Sequence, residues 1–146
     1  MRPTFSGNWG VDSNIIIYAL DRKSVFFKKA EAFFNQAKGI NFYITQQNLV
    51  EIEKVIIGFY RIKKETVITN LERFLSAFNF SIISPLPTTL SYYHKLLLFY
   101  PAKDAFFDLY LVATYLDNQI NNFFTVNTKD FLTIKELRVV NPFSYF

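Results

Sequence analysis

Val11-Asp12-Ser13-Asn14-Ile15-Ile16-Ile17-Tyr18 sets one carboxylate between apolar residues. Val11 is the last residue before an acidic turn, and Ser13 stands near the start of an apolar helix running to Leu20. An acid placed this way is costly to bury unless its charge is compensated. Thr45-Gln46-Gln47-Asn48-Leu49-Val50-Glu51-Ile52 and Asp108-Leu109-Tyr110-Leu111-Val112-Ala113-Thr114-Tyr115 repeat the pattern, and Phe124-Thr125-Val126-Asn127-Thr128-Lys129-Asp130-Phe131 follows. Acids scattered along one chain in apolar settings point to a folded cluster around a divalent cation. Carboxylate oxygens are hard ligands and suit Mg²⁺ or Mn²⁺.

Outward from Asp12, short apolar runs alternate with helical stretches. Residues 23–37 carry Phe26, Phe27, Ala30, Phe33, Phe34 and Ala37 at helical spacing. A strand is expected over 41–45, helices over 47–59 and 63–78, and a short strand over 80–83, closed by Ser84-Pro85-Leu86-Pro87. Helices over 88–99 and 103–118 and strands over 123–126 and 138–140 complete the pattern. Strands separated by helices call for a mainly parallel central sheet flanked by helices, an α/β/α arrangement in three layers. Nothing divides the 146 residues, so one domain is expected. Ligands of such sheets bind beyond the carboxyl ends of the strands. Asp12 and Asn127 follow strands directly, whereas Glu51 and Asp108 lie about one helical turn into their helices, so all can reach one edge.

Composition narrows the chemistry. Hydrophobic residues make up 51% and charged ones 19%, which argues against disorder. With no cysteine and His94 as the single histidine, carboxylates are the remaining metal ligands. The lack of cysteine fits a cytoplasmic protein. No apolar run approaches the roughly 18 residues that span a bilayer, and Met1 to Gly10 lacks the apolar core of a signal peptide. The net charge of +4 suits a polyanionic partner.

These phrases resemble those of the PIN (PilT N-terminus) domain, the nuclease fold of the VapC-like toxins of type II toxin–antitoxin modules. The resemblance rests on Asp12-Ser13-Asn14 after the first strand and on Glu51 six residues after Thr45. It continues with Asp108 opening a helix that contains Ala113-Thr114, and with Thr125, Asn127, Asp130 and Phe131. It runs in order from residue 11 to about 143, nearly the whole chain. The chain departs from the family at the fourth acidic position, which falls on Asn127, and in the aliphatic first strand, replaced by Ser6-Gly7-Asn8-Trp9-Gly10. Residues 1–10 are therefore expected to be irregular.

The resemblance implies hydrolysis of RNA phosphodiester bonds by a metal-dependent endoribonuclease, the toxin of such a module. Asp12, Glu51, Asp108 and Asp130 are the expected catalytic acids, with Asp12 and Asp108 holding Mg²⁺ or Mn²⁺ directly and Glu51 and Asp130 orienting metal-bound water. Ser13, Asn14 and Thr125 are expected to hold the carboxylates by hydrogen bonds, and Asn127 to offer a neutral oxygen. The implied partners are an RNA substrate, a cognate antitoxin that covers the acidic pocket, and a second copy of the chain. A catalytically weak PIN module that binds RNA or protein is the alternative.

Other residues invite plainer readings. Asp104 lies one turn before Asp108 and reads as an exposed first-turn acid at the margin of the site. Glu53 and His94 read as surface groups, Asp21 and Asp117 as helix-end or surface charges, and Trp9 as packing. The 18 Phe and 9 Tyr exceed what one core stripe holds. Adjacent pairs such as Phe33/Phe34 lie about 100° apart on a helix, so some rings are expected at the surface.

Overall fold

The computed structural model describes residues 4–146. Its centre is a parallel sheet of five strands in the order β3-β2-β1-β4-β5. The strands are β1 (Gly7–Val11), β2 (Ile40–Thr45), β3 (Ser81–Ile83), β4 (Asn122–Phe124) and β5 (Arg138–Val140). Between them run α1 (Ser13–Leu20), α2 (Phe27–Gln36), α3 (Gln46–Glu53), α4 (Lys64–Ala77), α5 (Thr89–Phe99) and α6 (Phe106–Asp117). Side chains alternate across each strand. Trp9, Val11, Phe42, Ile44 and Phe124 pack against buried residues of α1 to α4. Tyr43, Phe123 and Val139 turn to the other face, against α5 and α6. The three-layer α/β/α architecture follows from this alternation.

The expectation of an irregular segment over residues 1–10 is corrected from Gly7 onward, while residues 1–3 lie outside the described residues. Gly7 to Val11 form the central strand, pairing with β2 through Gly7 to Gly10 and with β4 through Gly10 and Val11. The strand is regular without being aliphatic because its inward side chain is an indole. Trp9 is fully buried and stacks on Phe124 at 4.0 Å, with the Arg138 guanidinium 5.2 Å from its ring centre. Gly10 faces the other way, and a Cβ there would stand 2.5 Å from the Tyr115 ring. The missing side chain lets α6 approach the sheet.

Other boundaries move for local reasons. Helix α2 begins at Phe27 rather than at 23, because Asp21 Oδ1 and Ser24 Oγ accept the N–H groups of Lys23 and Phe26 and hold a turn there. Helix α6 begins at Phe106 rather than at 103, since Lys103 adopts a positive φ of 44° that no helix accommodates. Asp108 therefore lies in the first turn of α6, not a turn inside it. The expected 47–59 helix is continuous, but its second half, Lys54–Phe59, is π-helical. Strand β4 is shorter than expected because the Thr125 hydroxyl takes the Asn127 N–H and turns the chain away.

Of the paired aromatics, Phe26 is exposed as expected, but the Phe33/Phe34 pair departs from the expectation. Phe33 and Phe34 are both buried, because the sheet covers one ring and α4 the other. Phe33 meets Phe124 at 4.9 Å, and Phe34 meets Phe74 at 5.0 Å and Phe78 at 5.2 Å. The exposed rings include Phe26, Phe59, Phe99 and Phe107. Among the described residues, no helix is long and apolar enough to cross a membrane.

Candidate active site

The carboxyl ends of β1, β2 and β4 deliver the site. The Asp12 N–H donates to the Phe124 carbonyl at 2.9 Å, and the Thr125 N–H donates to Val140 at 3.0 Å. Sheet hydrogen bonding thus sets Asp12 beside Thr125. A pocket of about 530 Å³ opens there, lined among others by Asp12, Glu51, Asp108, Asn127 and Asp130. Asp12 comes from the end of β1, Glu51 from α3, Asp108 from α6 and Asp130 from a short 3₁₀ turn at Thr128–Asp130. Ser13 and Asn14 also line the pocket, whereas Thr125 lies fully buried behind Asp12.

Asp12 is the buried acid, 8% exposed, and caps α1. Its Oδ1 accepts the Ser13 N–H at 2.9 Å and Asn48 Nδ2 at 3.4 Å. Its Oδ2 accepts Thr125 Oγ1 at 2.7 Å and Asn14 Nδ2 at 3.3 Å. Burial pushes the carboxyl up from its ordinary 3.8 to about 6. The Thr125 and Ser13 hydrogen bonds pull it down, while the charges of Glu51 and Asp108 add smaller upward pushes. Asp108 is half-buried and also raised, first by desolvation and then by Asp130 and Glu51. The acids are thus close enough to repel one another. Glu51 is exposed and accepts Ser13 Oγ at 2.9 Å.

Asp104 stays outside this pocket. It lies in an exposed turn and lines a neighbouring depression together with Asp108 and Asp130. His94 is exposed on α5, and Asp117 accepts the hydroxyls of Thr88 and Thr89 at 2.7 and 2.8 Å.

The sequence reading missed Asn48 and Tyr115. Both are buried, Asn48 completely. Asn48 Oδ1 accepts Thr45 Oγ1 at 2.9 Å and the Tyr115 hydroxyl at 3.2 Å. With two donors on its oxygen, the amide can offer only its NH₂ to Asp12. Burial first, and then the Asp12 charge, push the Tyr115 phenol well above its ordinary value, so it stays protonated. A signal was available: Tyr115 lies seven residues after Asp108, nearly two turns along the same face of α6. Tyr115→Phe should cost about 1 kcal/mol of stability in urea unfolding, and a loss above about 4 kcal/mol would mean that the ring itself had moved.

The donors around the pocket are oxygens, a set that suits a hard divalent cation. Among the described residues, however, no group of three or more acidic or histidine side chains already stands where it would hold a metal ion. A cation at this pocket would therefore need water, or movement of the side chains, to complete its ligands. Among the described residues, Asn14 Oδ1 is buried with no hydrogen-bond partner, while Asn14 Nδ2 faces Asp12.

Comparison with known structures finds the same fold. The chain is similar to VapBC2 of Rickettsia felis bound to a promoter DNA fragment, at 21% identity and a TM-score of 0.65, covering 92% of this chain and 98% of that one. FitAcB of Neisseria gonorrhoeae matches at 19% identity and a TM-score of 0.70, covering 92% and 97%. VapC20 of Mycobacterium tuberculosis, a sarcin–ricin loop cleaving toxin, matches at 13% and 0.67, covering 89% and 98%. No curated protein sequence matches the chain significantly. The PIN domain model matches residues 11–137, which takes in Asp12, Glu51, Asp108 and Asp130, and the chain belongs to the PIN domain family.

Proposed function

We propose that the protein is a metal-dependent endoribonuclease and the toxin of a type II toxin–antitoxin module, acting on cytoplasmic RNA. The observation that carries this reading is the convergence of Asp12, Glu51, Asp108 and Asp130 from separate elements on one pocket, with Asp12 buried. Family membership and the likeness to toxin structures, one of which cleaves the sarcin–ricin loop, support it.

In this reading Asp12 and Asp108 are the direct ligands of Mg²⁺ or Mn²⁺, and Glu51 and Asp130 act through water. When bound, the cation lowers the pKa of a water and offsets charge on the phosphoryl group under attack. The chain's own residues prepare the site. Thr125, Asn14, Asn48 and the Ser13 N–H hold both Asp12 oxygens in place, and Ser13 Oγ orients Glu51. The decisive experiment measures cleavage of single-stranded RNA with Mg²⁺ or Mn²⁺ and with chelator. Cleavage that persists in chelator would overturn the metal requirement.

An antitoxin is the proposed partner. A groove of about 430 Å³, with an apolar floor of Leu20, Ile56, Ile62 and Val67 and with Asp21, Arg22 and Lys23 also in its lining, shares Ile17 with the acidic pocket, so a chain laid in it would reach the acids. Exposed Leu98 and Phe99 support a homodimer by offering apolar surface to a second copy.

A weaker enzyme, used mainly for binding, is the second reading, favoured by the neutral Asn127 at the family's fourth acidic position. Asn127 and Asp130 both reach the pocket and are both exposed. If Asp130 supplies the missing charge, Asp130→Asn should weaken Mn²⁺ binding by roughly 1–3 kcal/mol in calorimetric titration, and Asn127→Asp should tighten it. Unchanged affinity in Asp130→Asn, with only a lower melting temperature, would make Asp130 structural.

A further inference from the structure

We propose that the acidic pocket is the middle of a longer channel for one unpaired RNA strand, an inference that rests on the ribonuclease reading above. Lys54 holds a phosphate on one side of the acids, Lys103 holds one on the other, and Phe107 stacks a base. The pocket of about 530 Å³ has a neighbour at its acids. A second depression of about 450 Å³, carrying Lys103 and Asp104, shares Asp108 and Asp130 with it. Both volumes fall within the roughly 300–1,000 Å³ typical of small-molecule pockets, so each has room for a nucleotide-sized group. Asp108 and Asp130 are the shared ground over which a strand would pass.

Charge makes the flanking lysines necessary. A phosphodiester strand carries one negative charge per nucleotide, and carboxylates repel every phosphate except the one a bound cation neutralises. Each depression contains a single basic side chain, Lys54 in the first and Lys103 in the second. Both are exposed, and no ion pair holds either ammonium among the described residues. Lys54 stands three residues after Glu51, a spacing that often yields a surface salt bridge. Glu51 accepts the Ser13 hydroxyl, and among the described residues it forms no ion pair with Lys54.

Phe107 indicates a single strand. It lines the first depression beside Asp108 yet is 78% exposed. An unstacked base can lie against such a ring, whereas the bases of a duplex are already stacked on one another.

The test compares the wild type with Lys54→Gln, Lys103→Gln, Phe107→Ala and Phe107→Trp in steady-state cleavage of a short single-stranded RNA across a salt series. Each lysine variant should raise KM several-fold with kcat within about two-fold. Each should also flatten the dependence of log KM on log salt by about 0.7, the contribution of one phosphate contact on a single strand. Phe107→Ala should raise KM and Phe107→Trp restore it. Unchanged KM and salt slope in both lysine variants would overturn the channel. So would lysine variants that spare RNA but lose binding of a partner protein, which would assign the groove to protein docking. Fluorescence anisotropy of the same RNA with Ca²⁺ separates the two readings. Lysine-dependent binding without any cleavage keeps the channel and rejects the ribonuclease, and neither binding nor cleavage rejects both.

Discussion

Asp12→Asn and Asp108→Asn are each expected to lower RNA cleavage by about 100-fold or more, close to 3 kcal/mol of transition-state stabilisation. The two substitutions probe different environments. Asp12 is buried and receives hydrogen bonds on both oxygens, so its asparagine must set an NH₂ against groups that were donating to it. Asp108 is half-buried, and its raised pKa comes from desolvation and from Asp130 and Glu51. Removing its charge relieves repulsion, and the fold should tolerate the change. Circular dichroism and thermal unfolding would establish that both variants are folded. Glu51→Gln should leave more residual activity, because Glu51 is exposed and its proposed role runs through water. If Asp12→Asn and Asp108→Asn both cut at the wild-type rate, the assignment of the site fails.

Much of the fold could be read from periodicity. Apolar residues three and four apart marked α2 and α4, and β-rich runs between turn residues marked β2, β3 and β5. What escaped was set by contacts distant in sequence. Ser6-Gly7-Asn8-Trp9-Gly10 has no strand-like composition, and it forms the central strand because Trp9 finds Phe124 and Gly10 makes room for Tyr115. Phe33 and Phe34 could not both be assigned to the core until α4 was known to lie across Phe34. The late start of α6 depends on the positive φ of Lys103, which a lysine seldom announces.

The acids were legible as types and as phrases, because a carboxylate inside an apolar run needs an explanation. Their support was less so. Ser13, Asn14 and Thr125 adjoin Asp12 in the chain or lie in a quoted phrase, and the structure does place their hydrogen bonds on Glu51 and Asp12. Asn48 and Tyr115 belong to phrases of their own and meet only when α3 and α6 close on β1. A single sequence shows a polar residue in a helix, not whether that residue is completely buried.

The metal-free protein is expected to lose stability as pH rises from about 4 to about 6, opposite to the usual behaviour of a paired carboxylate. Asp12 titrates at about 6 in the folded chain against an ordinary 3.8, so between those values the folded state holds more protons than the unfolded state. Stability then falls with rising pH. The penalty is absent below the ordinary value and fully present above the folded one. A difference of about two pH units corresponds to roughly 3 kcal/mol, and Asp108 adds a shift of the same sign. Urea unfolding in chelator at a series of pH values should show this slope, and Asp12→Asn should flatten it. A bound divalent cation selects the ionised carboxylate, so Mg²⁺ or Mn²⁺ should add most stability above pH 6 and little below it. Cleavage should fall on acidification through the same window, because a protonated Asp12 cannot serve as the proposed ligand. Equal pH slopes in the wild type and Asp12→Asn would show that the unpaired charge lies elsewhere, and would remove the buried carboxylate as a reason to expect a cation at the site.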